Sequence, residues 1–363
     1  MKVTVDKQEL LEKLISAAKC TGENKIRPII SCVLLSVTDT IKLNSTDLEM
    51  TFETLVLGEI HKQGKTCFNP QDVIEYVSTL DNGNIEIILE GNILKVYEAE
   101  FITMDCNEYP AIKSINQNKI IEIDSTMFLS NLNSCLSVSA GAKDNPNCYG
   151  VKVDITDKID FVATDSFRLI NYNSSITSPE PFTTTLPYSS IKRLIDILKN
   201  TMEPIKLVID ENNIEFVSGD YKFRTRTIEL AFPNYKSILS NFYYDKKLTV
   251  NRIETINILK RMLVFAKNNT TAKNGAVFEV SSNKINVKAI ADKGKAKDKI
   301  NCIQEGSDIK ISLNIQFILD YLLQIDSEAV EILLHKSVNP VMLKPASNNS
   351  DSVYITMPLA MAE

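Results

Sequence analysis

Three aspartates in similar local sequences are candidates for catalytic or metal-binding residues in this 363-residue chain. Asp47 ends the stretch Asn-Ser-Thr-Asp, Asp165 lies within Val-Ala-Thr-Asp-Ser-Phe-Arg-Leu, and Asp292 ends Ala-Ile-Ala-Asp. Three clustered carboxylates could hold a divalent metal and make the chain a nuclease. However, Asp165 follows Asp47 by 118 residues and Asp292 follows Asp165 by 127, and both spacings recur at other landmarks. We therefore expect each aspartate to stabilise a local Asx turn at the same position of a repeated domain.

Other catalytic patterns are weak. Gly64-Lys65-Thr66 is similar to the end of a phosphate-binding loop, but position 59 is Glu where that motif requires Gly, and strand-like residues follow instead of a helix. We expect a hairpin turn there. The chain has two histidines and no Gly-x-Ser-x-Gly pattern, so hydrolase and metalloenzyme chemistry lack support. No catalytic residue, metal or cofactor is predicted, and the seven scattered cysteines are expected to be free and buried.

Further landmarks indicate that the chain repeats. The residue that opens the first amphipathic run is Asp6, Asp124 and Asn251 in turn, again at spacings of 118 and 127. The second amphipathic run begins near Pro70, Tyr188 and Ile315, at the same spacings. Together with the aspartates, these landmarks predict three tandem copies of one domain, residues 1–118, 119–245 and 246–363. Each copy is long enough to bury its own core.

Hydrophobic periodicity predicts the elements within each copy. Asp6 is a good N-cap, and the residues after it form one apolar helical stripe, Leu10, Leu11, Leu14, Ile15, Ala17 and Ala18. The outer face of that helix would carry Glu9, Glu12, Lys13, Ser16 and Lys19. Alternating segments then indicate antiparallel strands, Pro70 opens a second helix, and two more strands close the copy. The fold class is therefore α+β, with two helices packed on antiparallel sheet in each copy.

The composition is that of an ordinary soluble protein, with 44% hydrophobic residues, 24% charged residues and a net charge of −6. No stretch approaches about eighteen consecutive apolar residues and the N-terminus lacks a signal-peptide core, so a cytoplasmic protein is expected. The negative charge disfavours a large basic face. Nevertheless, the first helix of the third copy would direct Arg252, Lys260, Arg261 and Lys267 outward against the single acidic Glu254. That face predicts contact with nucleic acid, with a merely solvated face as the alternative.

Four short motifs, taken with the repeats, indicate a family. They are Ser-Thr-Asp-Leu-Glu-Met at 45–50, Ala-Thr-Asp-Ser-Phe-Arg-Leu at 163–169, Phe-Pro-Asn-Tyr at 232–235 and Tyr-Ile-Thr-Met-Pro-Leu at 354–359. In this order and spacing they resemble the bacterial DNA polymerase III beta subunit family, the sliding clamps. The resemblance covers essentially the whole chain, starting from Met-Lys-Val-Thr-Val at 1–5.

The resemblance implies a head-to-tail homodimer whose six domains close a ring, with helices lining the hole and sheets forming the outer wall. Such a chain would be a non-catalytic processivity factor, an accessory subunit of a DNA-directed DNA polymerase. A ring tethers by topology, so weak, sequence-independent phosphate contacts suffice and the negative net charge is no obstacle. The implied contacts to double-stranded DNA are Lys25, Arg27, Lys192, Arg193, Lys199, Arg252, Lys260 and Arg261. In the first copy, the acidic residues Glu9, Glu12, Asp72 and Glu75 on the helices count against DNA contact there.

The resemblance also implies a pocket between the second and third domains that receives short, partly hydrophobic peptides. The partners would be the polymerase III catalytic subunit, the clamp loader, other polymerases and repair proteins. The residues that match the family's motifs are Cys148, Thr164, Ser166, Phe167, Arg168, Leu169, Pro233, Ile238, Pro340, Ile355, Thr356, Met357, Pro358 and Leu359. Such a cleft needs apolar walls and a few polar groups. Without the resemblance, Leu169, Ile355 and Met357 would be interpreted as core strand residues.

Several departures from the family pattern bear on the pocket. Ser166 and Phe167 stand where some relatives have Gly and His, Ser237 where a long basic side chain can occur, and Cys148 where leucine is usual. Peptide preference therefore does not follow from the resemblance.

At the implied subunit interface, Phe101 and Thr103 of an edge strand would meet Lys267 and Asn268 at the end of the third-copy helix, where relatives can show apolar residues. Two rival classes stay open. One is a metal-dependent nuclease that uses the aspartates, and the other is a non-ring scaffold that binds peptides without DNA. Retention on closed circular DNA, lost when the circle is cut, would separate a clamp from both.

Overall fold

The computed structural model describes residues 1–112, 119–174, 181–210, 212–270, 272–291, 294–347 and 352–360. The first part of the chain forms β1 (Lys2–Asp6), α1 (Lys7–Ala18), β2 (Val33–Val37), β3 (Ile41–Thr46), β4 (Met50–Val56), β5 (Gly58–Lys62), β6 (Gly64–Phe68), α2 (Pro70–Thr79), β7 (Asn84–Glu90), β8 (Ile93–Val96) and β9 (Ala99–Ile102). The middle part forms β10 (Lys119–Ile123), α3 (Ser125–Ser139), β11 (Gly150–Ile155), β12 (Ile159–Thr164), β13 (Arg168–Ser174), β14 (Phe182–Pro187), α4 (Tyr188–Leu198), β15 (Ile205–Ile209), β16 (Asn213–Ser218) and β17 (Tyr221–Arg226). The last part forms α5 (Tyr235–Ser240), β18 (Lys246–Asn251), α6 (Arg252–Ala266), β19 (Gly275–Ser281), β20 (Lys284–Ala291), β21 (Gly294–Glu305), β22 (Ile309–Asn314), α7 (Ile315–Leu322), β23 (Ala329–Leu334), β24 (Val341–Pro345) and β25 (Ser352–Thr356).

These elements make two compact units, and the predicted α+β class is confirmed. The first unit, residues 1–130 with 189–229, contains a five-stranded sheet of order β5-β1-β7-β8-β9 and an eight-stranded sheet of order β10-β15-β16-β17-β4-β3-β2-β6. The second unit, residues 131–188 with 230–363, contains a twelve-stranded sheet of order β14-β11-β12-β13-β25-β24-β23-β18-β21-β20-β19-β22. The middle copy is divided because β17 pairs antiparallel with β4 of the first copy and β13 pairs antiparallel with β25 of the third.

Helix α1 begins where the sequence predicts. The Asp6 carboxylate accepts hydrogen bonds from the amides of Gln8 and Glu9 at 2.9 and 3.0 Å, which makes it the N-cap. Leu10 and Leu14 are buried, and each such side chain contributes about 1.5–3 kcal/mol to folding relative to an exposed one.

The outer face of α1 departs from the prediction. Lys13 and Ser16, expected to face solvent, are buried, whereas Ile15 of the expected apolar stripe is exposed. The Lys13 amine lies 4.2 Å from the centre of the Tyr221 ring, and the Tyr221 hydroxyl donates to the Glu12 carboxylate at 2.7 Å. The prediction is wrong because β17, from the second copy, presents Tyr221 to this face, which the periodicity of α1 alone does not show.

The segment at Gly64 is also a correction. Strand β5 pairs with β1 and β6 pairs with β2, so the chain leaves one sheet for the other between Lys62 and Gly64. The expected hairpin turn is wrong, since alternation in sequence does not show which strand a segment joins. Rejection of a phosphate-binding loop is confirmed, because Lys65 and Thr66 lie within β6 and the next helix begins only at Pro70.

The cysteines follow the prediction. All seven are free, and all but the half-buried Cys106 are buried. Burial raises the pKa of the Cys20 thiol to about 12, which keeps it protonated and unreactive. In the described ranges, no helix is long and apolar enough to cross a membrane.

Candidate functional site

The turn around Asp165 joins β12 to β13 and is closed by side chains. The Asp165 carboxylate accepts hydrogen bonds from the amides of Phe167 (3.0 Å) and Arg168 (2.9 Å), and the Thr164 hydroxyl donates to the Arg168 carbonyl (2.8 Å). Ser166 adopts a φ of +75°, a conformation that costs a residue with a Cβ about 1–2 kcal/mol. The turn presents Phe167 to solvent, with 64% of its surface exposed.

The same turn occurs around Asp47. Its carboxylate accepts from the amides of Glu49 (3.0 Å) and Met50 (2.7 Å), the Thr46 hydroxyl donates to the Met50 carbonyl (2.6 Å), and Leu48 has a φ of +80°. The predicted Asx-turn role is therefore confirmed for these two aspartates. Asp292 lies outside the described residues.

Arg168 fixes the Asp165 turn to helices α3 and α7. Its guanidinium contacts the Asp165 carboxylate at 2.8 Å and the Asp320 carboxylate of α7 at 2.5 Å, and it donates to the Ser137 carbonyl of α3 at 2.8 Å. The guanidinium carbon also lies 4.1 Å from the centre of the Phe317 ring. Because the side chain is buried and each of its three guanidinium nitrogens has a partner within the fold, Arg168 positions the turn.

Two distant stretches of sequence meet beside this turn. In the ladder between β13 and β25, Leu169 lies opposite Ile355, and the Met357 amide then donates to the Phe167 carbonyl at 2.8 Å. Leu169 and Ile355 share one apolar cluster with Val162 and Tyr235. The structure thus brings together the central turn and the C-terminal segment, as the resemblance implies.

The other sequence-predicted pocket residues differ in what they offer. Phe167, Ile238 and Met357 are exposed apolar groups, and Ser166 is exposed beside them. Three are buried supports: Cys148, Thr164 and Thr356. Four are partly buried: Pro233, Pro340, Pro358 and Leu359. The Leu359 amide donates to the Ser312 carbonyl at 2.8 Å, which attaches the end of the C-terminal segment to β22.

Helix α5 forms the side of the site and is fixed to the sheet by Tyr235. The Tyr235 hydroxyl donates to the carboxylates of Asp154 (2.8 Å) and Asp160 (3.4 Å), and the Lys236 amine lies 2.7 Å from Asp154. Burial opposes the charge of Asp154, but the hydrogen bonds from Lys236 and Tyr235 outweigh it and hold the pKa of that carboxyl below its usual value. α5 therefore stays attached at neutral pH by charge-assisted hydrogen bonds.

Sequence reasoning missed several residues at this site. Phe232, Leu239, Phe242 and Met342 pack against the cluster that contains Leu169 and Ile355. Val338, two positions before Pro340, is 75% exposed. The available signal was the apolar character of 238–244, Ile-Leu-Ser-Asn-Phe-Tyr-Tyr, which is unusual for a connecting segment.

The basic residues of α6 have different roles. Lys260 is exposed and, within the described residues, has no ion-pair partner. Arg261 is exposed but lies 2.6 Å from the Asp298 carboxylate. Arg252 was expected to face outward; instead it is half-buried and donates to the Leu322 carbonyl at 3.0 Å, because the last carbonyls of α7 need donors. Of the three cations of α6, Lys260 is therefore the one that is both exposed and without an ion-pair partner among the described residues.

In the first unit, cations gather where α1 meets α4. Lys192, Arg193 and Lys199 are exposed on or next to α4, and the Lys19 amine donates to the Asp196 carbonyl at 2.6 Å. Burial lowers the pKa of Lys19. The charge of Asp196 opposes this shift, whereas the neighbouring Lys199 and Arg193 add to it. Two more, Lys25 and Arg27, are exposed after α1.

Of the residues predicted for a subunit interface, Phe101 and Thr103 are half-buried, whereas Lys267 and Asn268 are exposed. Phe101 belongs to β9, the edge strand of the five-stranded sheet, and the amide and hydroxyl of Thr103 each donate to the Asn92 carbonyl at 3.0 Å. Lys267 and Asn268 are exposed at the C-terminal end of α6. Within the described residues, no group of three acidic, histidine or cysteine side chains could hold a metal ion.

Comparison with known families decides the identity of the fold. The N-terminal domain of the DNA polymerase III beta subunit matches residues 1–113, its central domain matches 122–234 and its C-terminal domain matches 243–360. This chain belongs to the DNA polymerase III beta subunit family. The recognition from sequence is confirmed, and with it the three-domain clamp fold and the function of a DNA sliding clamp, a non-catalytic subunit and not an enzyme.

The similarity extends over full lengths. The beta sliding clamps of Salmonella typhimurium and Bacillus subtilis are 25% and 23% identical to this clamp, over 99% of this chain and 100% and 99% of theirs. The DNA polymerase III beta subunit of Thermotoga maritima superimposes with a TM-score of 0.91 at 27% identity, covering 99% of this chain and 100% of that one. The Pseudomonas aeruginosa sliding clamp bound to griselimycin has the same TM-score and coverage at 22% identity.

Proposed function

We propose that two copies of this chain close head to tail into a ring around duplex DNA and tether DNA-processing proteins to it in the cytoplasm. Each chain would contribute three domains, residues 1–118, 119–245 and 246–363, with the first boundary next to a segment outside the described residues. The proposal rests on one observation. At two places in the chain a strand of one domain pairs with a strand of the next, and the two strands needed for a third such junction each have an unpaired side within the described residues.

The two junctions have the same construction. At the first, β17 pairs antiparallel with β4, so that Phe223 lies opposite Phe52. At the second, β25 pairs antiparallel with β13, so that Ile355 lies opposite Leu169. Strand β13 follows β4 by 118 residues, and residues 295–301 of β21 follow β13 by 127. A third junction of this kind would join β21 to the last strand of a first domain, which is β9.

Both strands have a free side within the described residues. β9 pairs only with β8, and residues 294–299 of β21 pair only with β20. Native proteins usually cover or pair such edges. The first edge exposes Glu98 and Glu100, whereas β21 exposes Lys295, Lys297 and Lys299, so the edges are complementary in charge. Two such junctions between two copies would complete six domains, with Phe101, Thr103, Lys267 and Asn268 as candidate contacts.

The proposed grip on DNA is electrostatic and independent of sequence. The exposed cations Lys25, Arg27, Lys192, Arg193, Lys199 and Lys260 would neutralise phosphates, with Arg261 shared with Asp298 and Arg252 acting mainly as a support for α7. A closed ring does not depend on tight binding, so this modest set is sufficient.

The second unit supplies the proposed attachment point for partners. A short, partly hydrophobic peptide from the replicative polymerase, the clamp loader or another DNA-processing protein would rest on Phe167, Ile238 and Met357, with Leu169 and Ile355 forming the floor. Apolar contact area with a few orienting polar groups is what such a site requires. Ser166 in place of glycine and Ser237 in place of a long cation would adjust peptide preference.

The ring is tested by native mass and by reversal of one charge. The parent should have the mass of two 40.7 kDa chains in light scattering. Lys297→Glu should weaken the dimer by adding a negative charge to the edge that would face Glu98 and Glu100, and adding Glu100→Lys should partly restore it because opposite charges then face each other again. Lys143→Glu, at an exposed position outside both edge strands, is the matched control. A monomeric parent, or a double variant no better than Lys297→Glu alone, would contradict this junction.

A further inference from the structure

An aromatic patch lies next to the proposed peptide site. It consists of Phe242, Tyr243, Tyr244 and His335. Tyr243 is 66% exposed and Tyr244 is also exposed, whereas Phe242 and His335 are half-buried. Contiguous exposed apolar groups of this kind mark interaction surfaces more often than isolated ones do. These side chains have no role in the clamp fold or in the proposed contacts with DNA.

The patch is held in place before any partner binds. The Tyr243 ring meets the His335 ring edge-on, with centroids 4.9 Å apart, and the Phe242 and Tyr244 centroids are 6.4 Å apart. The Asp245 amide donates to the Leu334 carbonyl at 3.1 Å, and the Asp245 carboxylate lies 3.2 Å from His335 Nδ1. Aromatic side chains fixed in this way lose little conformational entropy on binding.

Phe242 joins the patch to the peptide site. Its side chain packs against the cluster of Val162, Leu169, Tyr235 and Ile355. Leu169 and Ile355 are also the floor of the proposed site, so the two surfaces are continuous. A peptide that rests on this floor and continues past Phe242 would next meet Tyr243 and Tyr244.

The charges around the patch define the kind of segment that it fits. The Asp245 carboxylate is already 2.7 Å from the Lys246 amine and in contact with His335, so it offers little free charge to a ligand. What the patch does offer is ring surface, together with the tyrosine hydroxyls, which can hydrogen-bond to a peptide backbone. An apolar or aromatic side chain in an extended segment is therefore favoured over a charged one.

We propose that the aromatic patch is a second subsite, which binds the segment flanking the pocket-binding motif of a partner protein through an apolar or aromatic side chain. The inference rests on the proposed function, because it extends the same peptide site. It predicts that this clamp distinguishes partners by the sequence beside the motif as well as by the motif itself.

The test uses two probes from the polymerase III catalytic subunit of the same organism. The short probe is the pocket-binding motif alone, and the long probe adds its native flanking residues. On the parent, the long probe should bind about two- to tenfold more tightly than the short one, the range expected for one aromatic contact. Tyr243→Ala should remove that gain and leave the short probe unchanged, whereas Tyr243→Phe, which keeps the ring and loses only the hydroxyl, should keep most of it. Ile303→Ala, at a position that is also 66% exposed in the same unit, should change neither.

The outcomes separate this inference from the proposed function. Equal affinity of the two probes for the parent, or an equal loss of both on Tyr243→Ala, overturns the subsite. A native mass that changes on Tyr243→Ala also overturns it, because the patch would then be a contact between copies. Tyr244→Ser provides an independent second variant. If the short probe fails to bind the parent at all, the proposed peptide site is wrong, and the subsite with it.

Discussion

Replacement of Arg168 by methionine isolates the ionic network that holds the central turn. Methionine keeps most of the length and apolar volume of the side chain but leaves the carboxylates of Asp165 and Asp320 without their cation. The side chains of Arg168 and Asp165 are 6% and 4% exposed, and that of Asp320 is 20% exposed. Loss of one partner of a buried pair costs about 3–5 kcal/mol. Because water can partly solvate Asp320, we expect about 3 kcal/mol.

The control is Arg261→Met. This arginine also lies 2.6 Å from an aspartate, Asp298, but is 61% exposed, so its removal should cost under about 1 kcal/mol. With about 2–4 °C per kcal/mol for a unit of this size, Arg168→Met should lower the melting transition by roughly 6–12 °C and Arg261→Met by no more than about 4 °C. Scanning calorimetry of parent and variants measures both. Equal shifts would refute the idea that the Arg168 network is worth more than a surface pair.

Four further changes test other parts of the account. A methyl group on Gly141 would collide with the Asp165 carboxylate, so Gly141→Ala should lower the free energy of unfolding in urea by about 1–3 kcal/mol, and an unchanged midpoint would argue against this packing. Leu169→Ala should weaken binding of a polymerase-derived peptide at least about thirtyfold, as should deletion of residues 357–363; tight binding by both variants would place the pocket elsewhere. Lys260→Glu should shorten the lifetime on DNA and reduce the salt slope by about 1 or more without changing the native mass; an unchanged lifetime would remove α6 from the DNA surface. The Asp154 carboxyl has a folded pKa below its unfolded value, so its contribution to stability is present above about pH 4 and is lost as the pH falls through the folded pKa. Asp154→Asn removes this titrating group, so the free energy of unfolding should fall less steeply between about pH 5 and pH 2.

Much of the fold follows from local rules that act within one copy. The N-cap at Asp6, the helix that starts at Pro70 and the Asx turns at Asp47 and Asp165 each depend on residues that are close in sequence. These features were predictable because side chain, turn and helix start lie within a few residues of one another. The repeat spacings then extended them to the whole chain.

What the sequence did not predict depends on contacts between elements that are distant in sequence. Lys13 is buried because Tyr221 of the second copy covers it, and Arg252 is occupied because α7 ends beside it. Likewise, β6 could not be assigned to a sheet from its own alternation. The proposed peptide site shows both outcomes. The resemblance located Leu169 and Ile355, whereas Phe242 was missed because the segment around it matched no family motif. Periodicity reports which face is apolar but not which element covers it.

Retention on DNA before and after a single cut tests the central claim most directly. The clamp would be loaded onto a closed circular plasmid by its own clamp loader, separated from free protein at a salt concentration that screens phosphate contacts, and then followed after one cut by a restriction enzyme. A topological tether predicts stable retention on the circle at that salt and rapid loss once ends are available. Equal retention on circular and linear DNA, or loss from the intact circle as salt rises, would show that the chain holds DNA by contact and does not encircle it.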